Sequence, residues 1–153
     1  MTRPLLTRID HVGIACRDLD EAIERYVTLF GLTVVSRETN DEQGVHEAML
    51  SVTASVNGHS TGPASASYVQ LLQPMGADSP VGRFLATRGE GIHHIGYGVA
   101  DVHAALAEIA AAGVRLIDER PRHGSMGASI AFLHPKDLGG VLTELVEAPQ
   151  TGE

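Results

Sequence analysis

Two histidines, a glutamine and a glutamate occupy matched places in a chain that repeats itself. His11 stands in "RIDHVGIACRDLDEAI" and His94, 83 residues on, in "GIHHIGYGVADVHAAL". With His11 laid on His94, glycines match two residues further (Gly13, Gly96) and aspartates seven residues further (Asp18, Asp101). The closing segments superpose as well: Gln70-Leu71-Leu72-Gln73-Pro74 lies over Glu144-Leu145-Val146-Glu147-Ala148-Pro149. Imidazole, amide and carboxylate are all metal-capable donors, and each stands in a strand-like stretch otherwise rich in Val, Ile and Leu. Alternation puts Ile9, His11 and Gly13 on one strand face, and Leu142, Glu144 and Val146 on one face of the last strand. A carboxylate buried on such a face costs on the order of several kcal/mol unless it is paired or bound to a cation. A pseudo-twofold arrangement of the two copies would bring His11, Gln70, His94 and Glu144 to its centre as a metal site. The neighbouring His93 is out of register and faces the other way, towards packing.

The elements that must position these residues follow from the same repeat. After each histidine strand an aspartate opens a helix-like stretch that runs to a glycine, Gly31 or Gly113. Ala22, Tyr26 and Leu29 recur at helical spacing in the first; Ala105, Leu106, Ile109 and Ala112 do so in the second. Three strand-like segments come next. They are LTVVSRE, GVHEAMLSV and SYVQLLQP in the first copy, and VRLID, ASIAFLHP and GVLTELVEAP in the second. The Gly- and Ser-rich "VNGHSTGPASAS" (56–67) reads as a hairpin loop, and a loop around 75–90 separates the copies. The expectation is an α+β fold of two βαβββ modules, about 5–75 and about 90–149, in a single domain spanning 1–153.

Bulk properties narrow the function classes. At 153 residues one domain buries roughly 68–70% of its extended-chain surface and needs no staples. A formal charge of −8 argues against a generic nucleic-acid binder, while leaving room for a phosphorylated small ligand held by a few local cations. One cysteine, Cys16, rules out an internal disulfide framework, suits a reducing compartment, and reads as a small hydrophobe. No apolar run suggests a signal peptide or a membrane span, so the expected location is the cytoplasm, with no membrane partner.

These residues together resemble the vicinal oxygen chelate superfamily, whose paired βαβββ modules surround a divalent metal in a curved eight-stranded mixed sheet. Within it the chain is similar to the methylmalonyl-CoA epimerase family. The similarity lies in "GEGIHHIGYGVADVHAAL", "FLHPKDLGGVLTELVEAP", "DSPVGRFLATRGEGIHH" and "DHVGIACRDLDEAIERY", which together cover nearly the whole chain. The HPK…GGVL…E segment is far more specific than the module repeat. The resemblance implies interconversion of (R)- and (S)-methylmalonyl-CoA by α-proton abstraction and reprotonation. A divalent ion would stabilise the developing oxyanion as a Lewis acid, and the substrate's own carboxylate could complete a chelate. Cobalt is the ion the resemblance suggests; the donor set also suits Mn²⁺, Ni²⁺ or Zn²⁺.

Inverting a carbon centre calls for acid/base groups on both faces. Glu47 is the candidate for the first. It lies 36 residues after His11, where the sister copy has Ile130, so packing alone does not call for a carboxylate there. The alternative is a solvated glutamate on an open sheet face. The resemblance makes Glu144 both ligand and second acid/base, although a cation-bound carboxylate is the poorer base. It also makes Lys136, in His134-Pro135-Lys136, a candidate contact for the CoA phosphates. Arg83, Arg88, Arg120 and Arg122 could supply further cations without the sequence choosing among them, and His46, His59, His103 and His123 read as surface residues. The family resemblance and the open edges of such a sheet imply a homodimer.

Three rivals share the fold. A glyoxalase I-type isomerase would act on a glutathione hemithioacetal, and the HPK…GGVL segment speaks against it. An extradiol dioxygenase uses two His and one Glu around iron, and Gln70 would fill a position its oxygen chemistry needs open. A metal-free binding protein would lack ligands that this chain has.

Overall fold

A computed structural model describes residues 4–52 and 67–150. The expected hairpin loop at 56–67 and His59 lie, apart from Ser67, outside the described residues. The chain runs β1 (Leu6–Ala15), α1 (Leu19–Phe30), β2 (Thr33–Asn40), β3 (Val45–Ser51), β4 (Tyr68–Pro74), α2 (Pro80–Arg88), β5 (Gly91–Val99), α3 (Val102–Ala111), β6 (Arg122–His123), β7 (Ser129–Leu133) and β8 (Thr143–Glu147). The strands form one mixed eight-stranded sheet in the order β2-β3-β4-β1-β5-β8-β7-β6. Pairings β1–β4 and β5–β8 are parallel, and β2–β3, β3–β4, β6–β7 and β7–β8 antiparallel.

The chain divides into two units, residues 11–93 and residues 1–10 with 94–153, and both β1 and β5 contribute to each. In the first unit α1 buries Leu19 and Ala22 against Cys16, Ala48, Leu50 and Leu71 on one sheet face. The opposite face packs Ala15, Val45 and Leu72 against Val81 and Leu85 of α2. In the second unit α3 packs Val102, Ala105 and Leu106 on Val99, Ala131, Leu133 and Leu145. The opposite face there carries Ala128, Ile130, Phe132 and Val146.

Helix starts and stops follow the side chains read from the sequence. Asp18 and Asp101, both with extended backbone, accept the N–H groups of Glu21 and Ala104 at 3.0 and 3.1 Å. Gly31 ends α1 in the left-handed region, at φ 70°, with its N–H on the carbonyl of Val27. A second tie, repeated in both units, joins each helix start to the strand that closes its module. Gln73 accepts the N–H of Leu19 at 2.8 Å, and Glu147 accepts that of Val102 at 2.9 Å.

Two expectations are corrected. The stretch 75–90 is no loop: α2 forms there because Ser79 accepts the Gly82 N–H at 3.1 Å, Pro80 occupies the first turn and Val81 and Leu85 find an apolar face. VRLID (114–118) is not a strand. Its backbone is held by irregular bonds instead: the Arg115 N–H goes to Asp137, and both Ile117 and Asp118 donate to the carbonyl of Phe132. One isolated bridge, Leu116 to Leu133, is its ladder pairing, and the edge strand β6 forms at Arg122–His123.

Candidate active site

The register of the sheet reproduces the sequence repeat residue by residue. Gly13 of β1 pairs with Gln70 of β4, and Gly96 of β5 pairs with Glu144 of β8, both in parallel. Because side chains alternate, His11 shares a sheet face with Gln70 in the first unit, and His94 shares one with Glu144 in the second. On β3, Met49 opposes Gln70 and Glu47 opposes Leu72; on β7, Phe132 opposes Glu144 and Ile130 opposes Val146. Glu47 thus occupies the first unit's counterpart of the Ile130 position, on the same face as Gln70.

In the first unit His11, Gln70 and Glu47 are all buried. Glu47 retains only 2% exposure, which removes the reading of a solvated strand glutamate. Gln70 Nε2 donates to Glu47 Oε2 at 3.1 Å. That bond fixes the sense of the amide: its nitrogen faces the carboxylate, and its carbonyl oxygen is the atom that can serve a cation.

In the second unit His94 and Glu144 are buried with His94 Nε2 3.8 Å from Glu144 Oε1. Phe132 stands edge-on to the His94 ring, 5.4 Å between centroids. Over the same Phe132 ring lies the guanidinium of Arg122 at 5.5 Å, itself 3.3 Å from Asp118 through Nε. Asp118 also accepts the Phe132 N–H at 2.9 Å, so one carboxylate ties both ends of this stack. The sequence reading passed over Phe132 and Asp118. Their only signal was Phe132 at the place where the sister copy has Met49, a small difference among apolar residues.

The donors fit a divalent cation by their chemistry. Two imidazoles, a carboxylate and an oriented amide oxygen, with no thiolate, suit a borderline ion that keeps positions open, and all four side chains are buried. His93 is different. It stacks edge-on against Phe84 of α2 at 5.1 Å, and burial pushes its imidazole down to about 4, so it is a neutral packing group at neutral pH.

Lys136 lies exposed in a single 3-10 turn, Pro135–Asp137, whose first N–H groups include that of Lys136 bonded to His134 Nδ1 at 3.1 Å. Arg83, Arg88 and Arg120 are exposed, whereas Arg122 is half-buried. His103 and His123 are exposed as expected; His46 is half-buried and bonded to Thr39 Oγ1 at 2.9 Å. Cys16 is buried at the end of β1 with Sγ 3.5 Å from the Leu72 carbonyl, and burial pushes its thiol up to about 11.

Comparison with known proteins identifies the family. Residues 10–132 match the Glyoxalase/Bleomycin resistance protein/Dioxygenase superfamily. A solved methylmalonyl-CoA epimerase in complex with methylmalonyl-CoA and NH4+ is 54% identical over 94% of this chain and 95% of its own, with a TM-score of 0.86. A point variant of the Streptomyces coelicolor methylmalonyl-CoA epimerase, in complex with 2-nitronate-propionyl-CoA, is 52% identical over 95% and 99% of the two chains, with a TM-score of 0.87. The mitochondrial methylmalonyl-CoA epimerase of Dictyostelium discoideum is 37% identical over 92% of this chain and 78% of its own. The chain belongs to the glyoxalase/bleomycin resistance protein/dioxygenase superfamily and, within it, to the family of the methylmalonyl-CoA epimerases.

Proposed function

We propose that this protein is a metal-dependent methylmalonyl-CoA epimerase that interconverts the (R) and (S) configurations at the carbon between thioester and carboxylate. Its full-length relatives carry that name. The single observation that carries the reading from the chain itself is the buried Glu47, bonded to Gln70 at the position where the sister module keeps Ile130.

His11, His94 and Glu144, each buried, would hold a metal ion, and Gln70 would add its carbonyl oxygen. Such an ion, Co²⁺ with Mn²⁺, Ni²⁺ and Zn²⁺ as substitutes, would supply Lewis-acid stabilisation to the negative charge that develops on the thioester oxygen. Glu47 then takes the α-proton on one face of the carbon. Its carboxylate is held in place by the Gln70 amide, and its burial excludes water that would compete for the proton. Glu144 serves the opposite face. Lys136, exposed in the turn between β7 and β8, would meet the CoA phosphates as a point charge. The reading includes a cytoplasmic homodimer. No described helix is long and apolar enough to cross a membrane, and β2 is an edge strand with Val34 and Val35 exposed, the kind of edge a partner covers.

The test is α-proton exchange. The protein is incubated with methylmalonyl-CoA in D₂O, with and without a chelator, while the α-proton signal is followed by NMR. Fast washout that stops on chelation and returns with Co²⁺ is the expected result. Absence of washout with every divalent ion tried would overturn the epimerase reading.

A further inference from the structure

A malonyl thioester differs from an ordinary acyl thioester by a free carboxylate; beyond a metal that one of its oxygens would join, a site specific for it gains from a side-chain cation on the face that carries the donor residues. The sheet register identifies that cation within the second unit. Arg122 pairs with Ile130, Ile130 with Val146, and Val146 lies two residues beyond Glu144, so Arg122 shares the face of Glu144 and Phe132. The corresponding place in the first module is Glu38, which pairs with Glu47. On this face one module departs from the repeat with a carboxylate and the other with a guanidinium.

The surroundings of Arg122 orient it. Phe132 lies under its guanidinium at 5.5 Å, and on the ligand side the same ring meets His94 at 5.4 Å. Asp118 Oδ2 forms an ion pair with the guanidinium, 3.3 Å from Nε, and is itself anchored by the Phe132 N–H. An arginine set beside a carboxylate and stacked on an aromatic ring has its plane restricted, and a guanidinium offers charge-assisted N–H bonds to a carboxylate oxygen. Arg83, Arg88 and Arg120 are exposed, and although Arg88 also lies over an aromatic ring, Phe84, at 5.7 Å, it stands on α2 and not on a strand that shares the face of Glu144.

We infer that Arg122 is the residue that recognises the free carboxylate of the substrate and so selects malonyl-type thioesters over simple acyl thioesters. This rests on the epimerase reading above. Phe132 and Asp118 act as positioning residues for it.

The experiment compares the dissociation constants of methylmalonyl-CoA and propionyl-CoA, which differ by that carboxylate, in the wild-type protein and in Arg122→Gln and Arg122→Lys. Loss of charge-assisted bonding gives an expected ten- to hundredfold loss of preference for methylmalonyl-CoA in Arg122→Gln, with propionyl-CoA binding unchanged. Arg122→Lys keeps the charge without the fork and should lose part of the preference; it also serves if the glutamine variant fails to fold. A purely structural role would weaken both ligands alike, and that outcome, or an unchanged ratio in the lysine variant, overturns the assignment. Wild-type protein that binds both ligands but exchanges no α-proton would instead sink the epimerase reading.

Discussion

Replacing Glu47 by glutamine separates base from ligand in one substitution. The amide has nearly the volume of the carboxylate, and its oxygen can accept the same 3.1 Å bond from Gln70 Nε2. Stability should therefore change by less than about 1.5 kcal/mol, as volume-conserving swaps do. The glutamine cannot take a proton. A positioned general base contributes roughly 10²–10⁴ in rate, about 3–5 kcal/mol of barrier, and that is the expected loss for the configuration whose α-proton faces Glu47. Exchange in D₂O measured separately on the two configurations of methylmalonyl-CoA should fall for one and persist for the other, while calorimetric titration with Co²⁺ gives an unaltered affinity. A second variant, Glu47→Ile, copies the sister module, where Ile130 is 1% exposed in the equivalent place, and should fold while losing the same exchange. Wild-type exchange of both configurations in Glu47→Gln would refute the assignment of the base. Loss of Co²⁺ binding would show Glu47 to be a ligand.

Other consequences can be checked independently. His94→Ala should abolish Co²⁺ binding in calorimetry while His93→Ala leaves it largely intact; the reverse would overturn the register that pairs His94 with His11. Cys16, 3% exposed and with its thiol pushed up to about 11, should resist a water-soluble thiol reagent at pH 8 until the protein is denatured; rapid labelling of the native chain would contradict its burial. Gly82→Ala would place a Cβ 2.2 Å from the Gly76 carbonyl oxygen, a backbone atom that cannot swing aside, so α2 should lose its seat at a cost of about 1–3 kcal/mol and thermal melting should fall by several degrees. Asp137, bonded to the Arg115 side chain and N–H, has its carboxyl held down to about 2. Because its folded value lies below the ordinary 3.8, its support for the fold is complete above about pH 4 and disappears as the pH falls through about 2; in Arg115→Ala its NMR titration should move back up.

The site was more legible in the sequence than the frame that holds it. His11, Gln70, His94, Glu144 and Glu47 could be found because duplication supplies an internal alignment, and a polar residue at an apolar, alternating position stands out against its copy. Strands β3, β4, β7 and β8 were legible for the same reason. The helix α2 was signalled locally by Ser79, Pro80 and Gly89, yet it has no counterpart in the other copy, and a reading led by the repeat took 75–90 for a linker. VRLID carries the alternation of a strand, but its partner is one carbonyl and one aspartate rather than a ladder, an outcome fixed by tertiary contacts with Phe132 and Asp137. Arg122 was one of four equivalent arginines until the register of a two-residue strand placed it on the ligand face.

That contrast bears on how a duplicated module acquires a reaction. The positions at which the copies agree in kind, a histidine on the first strand and Gln70 or Glu144 on the closing one, are those suited to a metal, which two similar halves can share. Gln73 and Glu147 also agree in kind, and each binds its own closing strand to the helix that follows the histidine strand, so the clamp is as symmetric as the donors. Chemistry on a substrate with two different ends demands the opposite. The carbon between them must lose a proton, and one end must be recognised as an anion. The copies differ at the two register-matched places that would meet those demands, Glu47 against Ile130 and Glu38 against Arg122. On the proposed reading the symmetric residues would hold the ion and the asymmetric ones would set the reaction and its substrate. Exchanging Glu47 for isoleucine or Arg122 for glutamine should therefore leave metal affinity intact while removing, respectively, proton exchange of the configuration that faces Glu47 and most of the carboxylate selection.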